Sequence, residues 1–179
     1  MTIRLAALGM AAVATAACTD VRRAPSSSPS ASAPADSAVW LTRERTLDFT
    51  GDGLPDTVRL RALGRSADSL RIELTFRSGG AVRWREAWAS DYELAVAPPL
   101  ADHAARDSFV RGRLDRALAS VEVEPFDPAA YATMADPVDS AILRRPPHEQ
   151  VSFAYGYETT VVLAWDPATA RLERLHACC

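Results

Sequence analysis

The residues best suited to chemistry lie in Asp48-Phe49-Thr50-Gly51-Asp52-Gly53-Leu54-Pro55-Asp56. Side-chain oxygens stand at alternate positions 48, 50 and 52, a glycine permits the bend that follows, and a further carboxylate arrives at Asp56. A hard cation such as Ca2+ takes roughly six to eight oxygen ligands. Here Asp48, Thr50, Asp52, the carbonyl of Leu54, and Asp56 would supply protein ligands. Three carboxylates in nine residues repel one another unless a cation or strong donors neutralise them. The competing reading is an Asp/Gly turn whose carboxylates accept backbone N–H groups.

The remaining chemical inventory is narrower. All 20 basic residues are arginine. Without lysine there is no Schiff-base amine, no P-loop lysine and no Ser-x-x-Lys nucleophile. No Gly-x-Ser-x-Gly or His-Glu-x-x-His occurs either. A net charge of -3 argues against nucleic acid as a partner, since its binders carry concentrated basic surfaces. His103 and His148 lie beside Asp102 and Glu149 in loop-like stretches without metal-ligand spacing, and read as solvated histidines. Glu122 and Glu124 fall on one side of a short strand with Val121 and Val123 on the other. That pattern suits an exposed strand face, with a glycosidase-type carboxylate pair as the alternative. Tyr155, Tyr157, Trp165 and Trp88 line either a binding groove or the core. Cys178 and Cys179 form an intramolecular or intermolecular disulfide or stay as thiols, and His176 adds a soft-metal alternative, His-x-Cys-Cys.

The start of the chain reads as an export signal, residues 1–17: Arg4 supplies the positive charge and Leu5 to Ala17 an apolar, alanine-rich run. Thr15-Ala16-Ala17-Cys18 resembles the lipobox of bacterial lipoproteins, with Thr15 where that family prefers a branched aliphatic residue. The resemblance implies that Cys18 is lipidated (a palmitate-type acyl group) and anchors the mature chain to a membrane. Cleavage within Ala14-Thr15-Ala16 and free secretion is the alternative. Residues 18–38 continue as a Ser/Ala/Pro tether, too poor in apolar residues to offset the entropy of ordering. Thr19 after the cysteine resembles lipoproteins that are not retained at the inner membrane.

The Asp48–Asp56 segment, with Thr57-Val58 after it, resembles the calcium-type loop that opens a strand in FG-GAP/VCBS repeats. Proteins of that type are mostly extracellular adhesion, sugar-binding or surface modules. Thr50 replaces the usual Asn or Asp, and Arg59 stands where an EF-hand carries its bidentate glutamate. The resemblance therefore implies a structural calcium rather than a sensor.

These residues need a scaffold, and residues 39–179 are enough for one domain of roughly 140 residues. Val58, Leu60 and Ala62 alternate with arginines, and Leu70, Ile72, Leu74 and Phe76 repeat the pattern beyond a turn at Gly64 to Asp68. After Ser78-Gly79-Gly80, Val82, Trp84 and Trp88 continue the apolar face, giving a three-strand meander. The interleaved arginines read as a solvated face with cross-strand Arg/Glu pairs. Beyond Pro98-Pro99, the spacing of Val110, Leu114, Leu118 and Val121 predicts a helix. Asp127-Pro128 and Asp136-Pro137 predict short helices over 129–134 and 138–143. Val151 to Tyr157, Thr159 to Trp165 and Arg171 to His176 return to strand. The expected fold is α+β: a single domain, mainly antiparallel, with a helical insertion between an N-terminal meander and a C-terminal hairpin.

The function expected from these features is that of a lipid-anchored envelope protein, at the outer membrane or the periplasmic face. It would act as a non-catalytic binding or assembly component with an envelope protein or glycan as partner and no nucleic acid. An envelope hydrolase, and a secreted inhibitor or accessory factor using the arginine-studded sheet, are the alternatives.

Overall fold

The computed structural model describes residues 38–131, 149–156 and 159–178. The signal segment, Cys18 and the tether up to residue 37, residues 132–134 of the first predicted short helix, the second over 138–143, His148, Tyr157 and Cys179 lie outside the described residues.

Among the described residues eight strands form two four-stranded antiparallel sheets, each a meander of sequence neighbours. The first contains β1 (Val39–Leu47), β2 (Asp56–Leu63), β3 (Arg71–Ser78) and β4 (Ala81–Ala89). Its inner face follows from the period-two pattern: Val58 lies opposite Phe76, Leu60 opposite Leu74 and Ala62 opposite Ile72, all wholly buried. Ser78 pairs with Ala81 around Gly79 and Gly80, whose φ values of 56° and 79° suit the two-residue hairpin turn that favours glycine. β1 is a strand that the sequence reading did not propose. It is an edge strand on which Leu41 alone is buried, so Thr42-Arg43-Glu44-Arg45 hides the alternation.

One short and one long helix follow: α1 (Asp91–Leu94), then α2 (His103–Ala119) of 17 residues. Asp102 caps α2 by accepting from the Ala105 N–H at 2.8 Å. His103 is therefore the first helical residue rather than a loop residue. Its side chain is 89% exposed, 3.5 Å from an Asp68 oxygen. Val110, Leu114, Ala117 and Leu118 form the buried stripe, while Val121, also buried, lies just beyond the helix. Arg45 of β1 donates to the carbonyls of Val121 at 2.6 Å and Ala119 at 2.9 Å, placing a cation at the negative end of α2.

The second sheet contains β5 (Glu122–Pro125), β6 (Glu149–Tyr155), β7 (Thr159–Asp166) and β8 (Arg171–Cys178), with α3 (Pro128–Tyr131) between β5 and β6. Asp127 caps α3 through the Ala129 N–H. One face of this sheet meets the first sheet through Val161, Leu163 and Trp165; on the other face Ala164 and Leu175 pack with Tyr131, Phe126 and Val162 in a separate small cluster.

Aromatic rings join the two sheets. Phe76 lies 5.8 Å from Phe153, Trp84 5.5 Å from Phe153, Phe49 6.1 Å from Trp165, and Trp88 stacks on Tyr155 at 4.4 Å. Trp88 and Trp165 are thus core residues, 8% and 7% exposed. α2 packs against β1, β2 and β6. Away from the helix, the edge strands β4 and β8 come within 8 Å between Cα atoms but belong to separate sheets.

Candidate functional site

The Asp48–Asp56 loop joins β1 to β2 and is organised by its own backbone. Asp56, 2% exposed, accepts through Oδ2 from the N–H groups of Phe49 at 3.1 Å and Thr50 at 3.2 Å and from the Thr50 hydroxyl at 3.1 Å. Asp48 accepts from the Gly51 and Gly53 N–H groups, each at 2.8 Å, with Thr50 Oγ1 3.4 Å from its Oδ1. Asp52 turns Oδ1 onto the N–H of Leu54, and Leu54 itself is 64% exposed. Gly51 and Gly53 adopt φ of 72° and 79°, a conformation side chains disfavour. The donor set divides as a result. Asp48, Thr50 and Asp56 bring oxygens together through the Thr50 hydroxyl, whereas Asp52 serves the turn. Among the described residues no three His, Cys, Asp or Glu side chains converge as a metal centre would need. The N–H donors offset the crowded charges, and Phe49 is thereby fixed in the core, wholly buried against Phe76 and Trp165.

Glu122 and Glu124 are both exposed on β5, and Glu124 accepts from Gln150 at 3.2 Å. Cys178 ends β8.

One carboxylate in the interior was not anticipated. Glu93 in α1 is wholly buried and accepts from Trp88 Nε1 at 2.9 Å, the Gly156 N–H at 3.0 Å and Arg113 Nε at 3.1 Å. Arg113 also donates to the Gly156 carbonyl. A buried charge is tolerated when paired and fully hydrogen-bonded, and Glu93 meets that condition. It fastens α1 and α2 to β4 and β6.

The largest departure from the sequence reading is at the β4–β8 seam. A register shift opposite Phe76 and Arg77 puts Arg77 across from Val82 and Phe76 across from Trp84, leaving Arg83 as an extra residue. Such bulges re-aim side chains. Val82 turns outward, 44% exposed, instead of continuing the apolar face. Arg83 turns inward: its guanidinium lies 5.9 Å from the Trp165 ring centre and donates to the Ala170 carbonyl at 3.3 Å, while its Nε is buried without a hydrogen-bond partner among the described residues. Ala170 holds φ at 53°, the one non-glycine residue with positive φ among those described.

Arg174 comes from the inner face of β8, opposite Leu163. It pairs with Glu86 and lies 5.7 Å from the Trp84 ring centre. Burial raises the Glu86 pKa above the carboxylate norm, and Arg174 lowers it in part. Arg85 and Arg171 stand exposed at the rims, with no carboxylate within 4.0 Å among the described residues. The result is a cleft of about 470 Å³ lined by Val82 to Arg85 and Arg171 to Glu173 together with Arg174. A second cleft, about 430 Å³, is lined by Leu94, Ala97 to Leu100 and Arg106. Neither is lined by paired carboxylates or a His-acid pair.

Elsewhere Arg59 pairs with Glu44 across β1 and β2 at 2.5 Å, as the alternation predicts, while Arg71 pairs along its own strand with the buried Glu73 at 3.0 Å. Among the described residues no helix is long and apolar enough to cross a membrane. Comparison of the chain with protein-family models, curated proteins and solved structures found no match.

Proposed function

We propose that this protein is a non-catalytic binding or assembly component of the bacterial envelope, exported and held to a membrane through lipid on Cys18. Its α+β domain, with α2 inserted between the two meanders, hangs from the residue 18–38 tether at the outer membrane or the periplasmic face. The observation that carries the reading is the β4–β8 cleft, where arginines from two edge strands surround Trp84 in a chain whose net charge is negative. Guanidinium groups over aromatic faces are orienting and recognition devices.

A photo-cross-linker placed at Arg85, at Val82 and at the distant Arg116, in intact envelopes, tests the reading. The expected result is a discrete adduct from one or more positions, with acyl mass on Cys18. Absence of an adduct at all positions, with Cys18 unmodified, refutes it.

The proposal includes a structural calcium at Asp48, Thr50, Asp52, Leu54 and Asp56. Asp56 uses only Oδ2 and Asp52 only Oδ1 in the hydrogen bonds above, so each retains an oxygen for a hard cation. Calcium would draw the loop's carboxylates together and stiffen the entry to β2. Melting curves that coincide in calcium and in chelator, with no heat on titration, count against it.

A further inference from the structure

Resting on the binding reading, we propose that the β4–β8 cleft takes an extended acidic peptide segment of a partner protein, its carboxylates meeting Arg83, Arg85 and Arg171. Three features converge on this one place. The bulge aims Arg83 inward, the disfavoured backbone of Ala170 presents a carbonyl that holds it, and the buried Arg83 Nε lacks a partner. A guanidinium fixed against Trp165 has lost much of its freedom before any ligand arrives, which lowers the cost of binding. The exposed forks of Arg85 and Arg171 match a carboxylate in a bidentate fashion.

The charge balance favours an anion. Four arginines and one carboxylate, Glu173, line the cleft; of the neighbouring carboxylates Glu86 is engaged by Arg174 and Asp166 stands opposite Arg171 in the β7–β8 ladder. Shape then selects among anions. The cleft runs between two strands, so its cationic and apolar groups recur at the strand repeat of about 6–7 Å for every second residue. Extended peptides place alternate side chains at that same interval. Val82, 44% exposed, and the half-buried Trp84 line the cleft beside the arginines, which suits alternating acidic and apolar residues better than a uniform chain of phosphates. An added strand within the seam would need about 10 Å between β4 and β8, twice the ordinary strand spacing. The strands are within 8 Å, so the segment lies along the cleft and is read through side chains.

The test uses the full chain with a labelled Glu-Val-Glu-Val-Glu-Val peptide, followed by anisotropy and tryptophan emission. Expected are saturable binding that weakens as salt rises, altered emission from Trp84, and an affinity loss of about tenfold or more in Arg85→Glu/Arg171→Glu. Both arginines are exposed and unpaired among the described residues, so this variant should fold; its melting temperature is the check. Arg116→Glu, an exposed charge on α2, should bind as the parent does. The inference is overturned if the peptide fails to bind, if the double variant binds equally well, or if inorganic polyphosphate or phosphatidylglycerol vesicles bind through these arginines and the peptide does not. Cross-links from Arg116 alone would leave a binding component standing while removing this cleft as its site.

Discussion

Replacing Glu93 by glutamine should destabilise the domain severely although the side chain keeps its shape. The remaining carbonyl oxygen can still accept from Trp88 and Gly156, but the amide nitrogen then faces Arg113 Nε, donor against donor. Removing one member of a buried ion pair costs about 3–5 kcal/mol. Arg113 keeps 25% of its side chain exposed against 1% for Glu93, so water recovers part of its solvation and the expected loss is about 2–4 kcal/mol. In urea, with a slope of about 1–3 kcal/mol/M, the midpoint should fall by about 1–2 M with the slope unchanged. Glu93→Gln/Arg113→Met should recover part of the loss, because no orphaned charge remains. A midpoint shift below about 0.3 M in Glu93→Gln would refute the reasoning.

Gly156→Ala combines a positive φ of 57° with a new Cβ 2.5 Å from Tyr92 Cδ1; a loss of about 2–4 kcal/mol is expected by urea denaturation. Asp56→Ala removes the acceptor of three buried donors, and should lower stability by about 2–4 kcal/mol in the same assay, with Phe49 loosened from the core. Glu86 gives a pH dependence of definite sign. Its folded-state pKa is raised above 4.5, first by burial, with Arg174 opposing, so the folded state binds more protons than the unfolded one in the window above 4.5. Stability from this group is highest below that window and falls as pH rises through it; the urea midpoint of Glu86→Gln should therefore show a shallower decline there than the parent.

What could be read from the sequence was local. The alternation of Ile72, Leu74 and Phe76, the Ser78-Gly79-Gly80 turn and the stripe through Val110, Leu114 and Leu118 each depend on neighbours along the chain, and all correspond to observed elements. The charged run in β1 erased its own alternation, and the helix at Pro128–Tyr131 coincides with the start of the one expected over 129–134, whose last three residues lie outside the described ones. The cleft was illegible for a different reason. A bulge alters which way Arg83 points without altering the sequence pattern, and Arg83 meets Ala170 across 87 residues. Glu93 and Gly156, 63 residues apart, likewise carry no mark of their contact. The Asp48–Asp56 loop was conspicuous as a motif, yet the choice of partner for its carboxylates, amide or cation, is made by folded geometry.

Each sheet consists of strands that follow one another in the chain, and this has a kinetic meaning. Short turns close hairpins at small entropic cost, whereas contacts between distant segments carry the slow part of folding. The distant contacts here are concentrated where Phe76 and Trp84 meet Phe153 and where Phe49 meets Trp165. The β1–β4 meander and the β6–β8 strands, whose connections are short, are therefore expected to assemble early and separately, with the search that brings these rings together as the slow step.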